Sequence, residues 1–172
     1  MSLKIIMGGM FSGKSTELIR RIKRHQIIGD SVLVVNSSKD IRSDVNVVKT
    51  HDGDTFNCIK VSSLNQVDIG PYDVIIIDEA QFFTKLKHFV QYAIDHKKHV
   101  ILAGLDGDYK QNVFGELLST IPMADEVTKL YALCMVCRDG TLGPFSKRCN
   151  NENSQELVGG QETYKAVCRM CL

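Results

Sequence analysis

The run Gly8-Gly9-Met10-Phe11-Ser12-Gly13-Lys14-Ser15-Thr16 constrains the fold of this chain more than any other stretch. It reads as a glycine, four residues, then Gly-Lys-Ser, the pattern of a phosphate-binding loop. Such a loop needs a buried strand before it and a helix after it. Lys4-Ile5-Ile6-Met7 supplies the strand, and Leu18, Ile19, Ile22 and Ile27 recur at helical spacing between Thr16 and Ile28. Glycines let the backbone curl so that successive N–H groups face a polyphosphate, and the helix start adds its own unpaired N–H groups. Lys14 brings an ammonium to the outer phosphates, and Ser15 offers a hydroxyl to Mg²⁺. A nucleoside triphosphate site over Gly8–Ser15 is the expectation.

Further apolar runs alternate with helical ones. Strands are predicted at Ser31–Val35, Tyr72–Ile77, His99–Leu105 and Glu126–Leu133, with helices from a Thr84 cap to Lys97 and over Val113–Thr120. Val45–Lys49 and Phe56–Val61 read as a hairpin around His51-Asp52-Gly53-Asp54, and brief strands are predicted near Leu157-Val158 and Tyr164–Val167. The alternation predicts an α/β fold: a mainly parallel sheet with helices on both faces, carrying its ligands beyond the carboxyl ends of the strands. That rim collects Gly8–Ser15, Asp78–Gln81 and Asp106–Asp108.

Asp78 and Glu79 follow four apolar residues, as in a second phosphate-site strand. Asp78 is placed to serve Mg²⁺. Glu79 is placed to accept a proton, either from an organic hydroxyl that attacks the phosphate or from water. Cys134-Met-Val-Cys137 and Cys168-Arg-Met-Cys171, thirty residues apart, form two knuckles suited to a closed tetrahedral Zn²⁺ site. Zinc there pins the root of a polar loop that serves as a substrate lid. The expected division is a nucleotide-binding domain, 1–133, and a zinc-rooted lid domain, 134–172. Cys58 and Cys149 stand outside this scheme.

The 172 residues, 44% hydrophobic and 24% charged, suit a globular chain, and a net charge of +1 argues against a large nucleic-acid footprint. No apolar run approaches a membrane span, and Met-Ser-Leu-Lys leads straight into the first strand, so a cytoplasmic protein without membrane partners is expected. Three readings remain. One is a small-molecule kinase with Glu79 as base. Another is an ATP-hydrolysing, nucleic-acid-binding zinc protein, disfavoured because such motors close ATP between two domains. The last is a zinc-ribbon module that uses nucleotide as a switch.

The residues also carry a resemblance. Met10–Leu18, Asp40-Ile41-Arg42, Asp78-Glu79-Ala80-Gln81-Phe82-Phe83, Leu105-Asp106-Gly107, Ser146-Lys147-Arg148 and Val158-Gly159-Gly160, together with the four cysteines, resemble the zinc-containing type II thymidine kinases over essentially the whole chain. The resemblance implies transfer of the ATP γ-phosphoryl group to the 5′-hydroxyl of thymidine with Mg²⁺. It assigns ATP and Mg²⁺ to Gly8, Gly9, Met10, Phe11, Ser12, Gly13, Lys14, Ser15, Asp40, Ile41, Arg42, Asp78, Glu79, Ala80 and Gln81. Glu79, Lys14 and Arg42 take the catalytic roles. Met10, Phe82, Leu105, Tyr109 and Phe114 line the base pocket, and the lid is the family's "lasso". Its residues Gln155, Glu156, Leu157, Val158 and Gly159 meet the thymine edge, and Tyr164 contacts the nucleoside. A homotetramer inhibited by thymidine triphosphate is implied too. Against the family pattern, Gly9 replaces a common proline, which predicts a more flexible loop. Tyr109 replaces phenylalanine, so its hydroxyl needs a partner, and Asp108 stands where threonine is common.

Overall fold

A computed structural model describes residues 1–41, 46–49 and 55–172. The elements run β1 (Ser2–Gly8), α1 (Lys14–Ile27), β2 (Val32–Ser37), β3 (Val47–Lys49), β4 (Thr55–Asn57), β5 (Ile59–Val61) and β6 (Val74–Ile77). Next come α2 (Leu86–Asp95), β7 (His99–Gly104), β8 (Glu126–Leu130), β9 (Ala132–Leu133), β10 (Leu142–Gly143), β11 (Phe145–Arg148) and β12 (Tyr164–Val167). Six of these strands make one sheet in the order β5-β2-β6-β7-β1-β8, with every neighbouring pair parallel.

Strand alternation divides the apolar side chains between the two faces. Ile75 and Ile77 of β6, with Leu3 and Ile5 of β1, pack under Leu86, Phe89, Val90 and Ala93 of α2. Val74 and Ile76 turn the other way, with Ile6 and Ile101, and meet Leu18, Ile19 and Ile22 of α1. Helices therefore cover both faces, as predicted. Ile27 does not join the stripe: it lies at the end of α1 and is 83% exposed.

Several expectations change in detail. Phe56–Val61 is two elements: β4 pairs antiparallel with β3, while β5 leaves that hairpin and joins β2 in the main sheet. The turn expected at His51–Asp54 lies outside the described residues. Thr84 does not cap α2. The cap position is Lys85, and the first-turn N–H groups of Lys85 and Lys87 donate to the Glu116 carboxylate at 2.9 and 3.3 Å. A distant carboxylate thus replaces a local hydroxyl. The helix predicted at Val113–Thr120 is a 3₁₀ turn, Leu117–Met123, that runs through Pro122. The single strand predicted over Glu126–Leu133 breaks at Tyr131: β8 stays beside β1, and β9 pairs with β10. Leu157-Val158 is not a strand; β11, unforeseen, is the partner of β12.

Leu18 is fully buried between α1 and the sheet. Leu18→Ala is expected to lower unfolding stability by about 2–5 kcal/mol, read as a drop in the denaturation midpoint with an unchanged slope.

Candidate functional site

The carboxyl ends of β6, β7 and β1 lie side by side, so the three polar clusters of the sequence open on one rim. At the end of β1 the chain turns through Gly8, where an added Cβ would lie 2.3 Å from the Leu130 carbonyl oxygen; only glycine fits there. Phe11 and Gly13 take left-handed conformations, φ 63° and 82°. The Gly9 carbonyl accepts from Ser12 Oγ at 2.9 Å and from Lys14 Nζ at 2.7 Å. The Met10 N–H donates to Ser146 Oγ at 2.8 Å, tying the loop to β11. Gly9 is correspondingly constrained, with its Cβ position 3.1 Å from the Pro144 carbonyl oxygen. A cleft lies over Met10–Ser15, bordered by Glu79 and by Gly159-Gly160 from the expected lid.

Beyond β6 the backbone kinks. Glu79 takes φ 50° and ψ 42°, which starts a short 3₁₀ turn, Ala80–Phe82. The Glu79 N–H donates to Asp78 Oδ1 at 3.0 Å, and Glu79 Oε2 accepts from Gln81 Nε2 at 2.6 Å. Both acids are buried. Glu79 borders the cleft over Met10–Ser15 and also a second one. That second cleft is walled by Met10, Phe82, Leu105, Tyr109 and Phe114 on the sheet side, and by Gln155, Leu157, Val158, Gly159 and Tyr164 on the lid side. Phe82 and Phe114 meet edge to face with centroids 5.6 Å apart. The apolar walls suit one flat, small-molecule ligand.

The lid is organised by a residue to which no role was assigned from sequence. Arg148 is buried at the end of β11 and donates to the carbonyls of Glu152, Ser154 and Gln155 and to the Tyr164 hydroxyl. Its guanidinium also stacks 3.7 Å above the Tyr109 ring. Tyr164 in turn donates to the Leu157 carbonyl at 2.7 Å. Three side-chain ties hold the segment expected to be a lid against the main body. Tyr109 donates to the Asn153 carbonyl at 3.1 Å, which supplies the partner its hydroxyl requires. Gln155 Nε2 donates to Asp108 Oδ2 at 2.8 Å and to the Val113 carbonyl at 3.1 Å, and Lys39 pairs with Glu156 at 2.7 Å. Burial works against the Asp108 carboxylate, yet the Gln155 amide and nearby backbone N–H groups outweigh it and hold its pKa below the usual value.

Some expected residues stand elsewhere. Gln81 borders the apolar cleft and not the phosphate loop. Ala80 is core, Ile41 is 73% exposed, and Glu156 spends its carboxylate on Lys39. Gly8, Gly9, Asp40 and Asp78 line neither cleft. Asp40 follows β2, the neighbour of β6, and accepts from Asn36 Nδ2 at 3.1 Å. Arg42 lies outside the described residues.

The four sulfurs of Cys134, Cys137, Cys168 and Cys171 lie within 4.8 Å of one another and could hold a metal ion. Cys137 Sγ is 3.7 Å from Cys168 Sγ and 3.6 Å from Cys171 Sγ. Four thiolates about 2.3 Å from a tetrahedral ion would lie about 3.8 Å apart, so the spacing fits. The Cys137 N–H holds the Cys134 thiol down at about 6, and the Cys171 sulfur pushes Cys137 up. Cys58 is different: burial raises its pKa to about 11 and keeps it protonated.

Arg148→Ala is expected to free residues 149–163 while leaving the sheet folded. Losing charge-assisted bonds worth about 2 kcal/mol should speed proteolytic nicking of that segment about thirtyfold. Unchanged cleavage would mean the lid is held by other contacts.

The thymidine kinase family matches residues 1–172. Thymidine kinase of Yaba monkey tumor virus is 45% identical over 171 residues, covering 98% of this chain and 93% of the viral protein. Thymidine kinase a of Arabidopsis thaliana is 47% identical over 176 residues, with 98% and 73% covered. Cytosolic thymidine kinase of Bos taurus is 39% identical over 172 residues, with 98% and 71% covered. On a match over its whole length, this chain belongs to the thymidine kinase family.

Proposed function

We propose that the chain transfers the γ-phosphoryl group of ATP to the 5′-hydroxyl of thymidine, with Glu79 as the base. One observation carries the assignment of the base: Glu79 borders both the phosphate-loop cleft and the apolar, lid-covered cleft. A nucleoside in the second cleft presents its hydroxyl to a polyphosphate in the first across that carboxylate. Glu79 takes the hydroxyl proton while the oxygen bonds to the γ-phosphorus. The bond from that phosphorus to the bridging oxygen breaks, thymidine monophosphate forms, ADP leaves, and the proton passes from Glu79 to solvent. Lys14 and the loop N–H groups stabilise charge on the transferring group, a task shared by Arg42. Met10, Phe82 and Phe114 hold the base, and lid backbone between Gln155 and Gly159 meets its polar edge. The closed lid keeps water from competing for the phosphoryl group.

Hard oxygen donors on Ser15, and on Asp78 from behind the cleft wall, would hold Mg²⁺, which would supply charge neutralisation along the phosphates. The cysteine cluster is read as structural zinc, since four thiolates leave no open position. Assembly as a tetramer, inhibition by thymidine triphosphate and a cytoplasmic location belong to the same reading through family membership. Among the described residues no helix is long and apolar enough to cross a membrane. Family membership does not favour an ATP-hydrolysing nucleic-acid binder.

Glu79→Gln preserves shape and removes the base. Its kcat for thymidine is expected to fall about a hundredfold to ten-thousandfold, with ATP binding unchanged by calorimetry. Parent-like turnover in the folded variant would show that another group takes the proton. Cys134→Ser is expected to reduce bound zinc from one per chain to none by elemental analysis, with the segment 138–167 opened to protease. A variant that is metal-free and equally protected would refute the structural role.

A further inference from the structure

Gln81 is 3% exposed, and two hydrogen bonds fix its orientation. The Leu105 N–H can only donate, so the atom receiving it at 3.0 Å is the amide oxygen, Oε1. The amide nitrogen therefore faces Glu79 and donates to Oε2 at 2.6 Å. Two glycines shape the slot. A Cβ at Gly104 would lie 2.6 Å from Gln81 Oε1, and one at Gly115, where φ is +64°, would lie 2.1 Å from the Gln81 carbonyl oxygen. Side chain and backbone of Gln81 are thus both gripped.

We propose that Gln81 is a positioning residue: it fixes the rotamer of the Glu79 carboxylate and couples it, through the Leu105 N–H, to the segment walling the nucleoside cleft. The inference rests on the reading of Glu79 as base. A glutamate side chain turns about three bonds, and a hydrogen bond to one carboxylate oxygen narrows the rotamers from which the other can meet the attacking hydroxyl. The amide is neutral and cannot take the substrate proton in its place. It also spans two groups on different strands: Leu105 follows β7, and Glu79 follows β6. A nucleoside that moves the Leu105–Phe114 segment therefore moves the donor that holds the base. Neither asparagine, one methylene shorter, nor methionine, without a polar hydrogen, can make this bridge.

The test is steady-state kinetics on the full chain with thymidine and ATP. Gln81→Met is expected to lower kcat about tenfold to a hundredfold, with the KM for ATP within about threefold of the parent. Gln81→Asn, which stays polar, should show the same loss and serves if the methionine variant does not fold. In a Glu79→Gln background, Gln81→Met should cause no further loss, because the residual turnover does not use the carboxylate. A merely structural role would instead lower both backgrounds alike. That additive result, full kcat in either folded variant, or a change confined to KM would overturn the inference. An inactive Glu79→Gln beside a fully active Gln81→Met overturns this inference alone. A fully active Glu79→Gln removes the base assignment, and this inference with it.

Discussion

The backbone turn at Glu79 is the constraint on which the site depends. Four fully buried residues of β6 drive straight through the core, and the strand must end where water and ligand begin. A glutamate at φ 50° is not a comfortable way to end it, because a side chain in the left-handed region costs about 1 kcal/mol or more. Holding that conformation are the Asp78 carboxylate on the Glu79 N–H and the Gln81 amide on the Glu79 carboxylate. The strain places the acid on the wall shared by two clefts.

The lid depends on a different kind of interaction. Residues 149–163 contain no strand or helix, so their carbonyls need partners from elsewhere. Arg148 supplies several at once from the end of β11, which is fixed by its ladder with β12. That ladder is rooted beside the four cysteines through Val167 and Cys168. Metal-site cysteines, ladder, arginine and lid form one mechanical series, and Ser146 joins it to the phosphate loop through the Met10 N–H. The walls of the two clefts are thereby linked.

The parallel sheet and its two helices were legible because buried strands leave continuous apolar runs, as Val74–Ile77 does, and amphipathic helices leave periodic ones, as Leu18–Ile22 does. The turn between β1 and α1 and the clustering of the four cysteines were legible because such patterns set particular residues at fixed spacing. Other features lie in long-range contacts that no local pattern records. The cap of α2 comes from Glu116, and the binder of the lid is Arg148, which as sequence is one basic residue in a Ser-Lys-Arg run. Gln81 reads as part of the acidic motif, yet its contacts face Leu105 and the apolar cleft. The split of the last long strand at Tyr131 depends on β9 finding β10, a pairing set by the lid's fold rather than by propensity.

The most direct measurement is a crystal structure with a bisubstrate analogue, adenosine and thymidine joined through a polyphosphate. The thymine should lie between Phe82, Phe114 and the lid backbone, with the phosphates over Gly8–Ser15. A Glu79 carboxylate oxygen should stand about 2.6–3.2 Å from the thymidine 5′-oxygen. A Glu79 carboxylate turned away from that oxygen, or a nucleoside bound outside the lid-covered cleft, would contradict the shared-wall assignment on which the proposed chemistry stands.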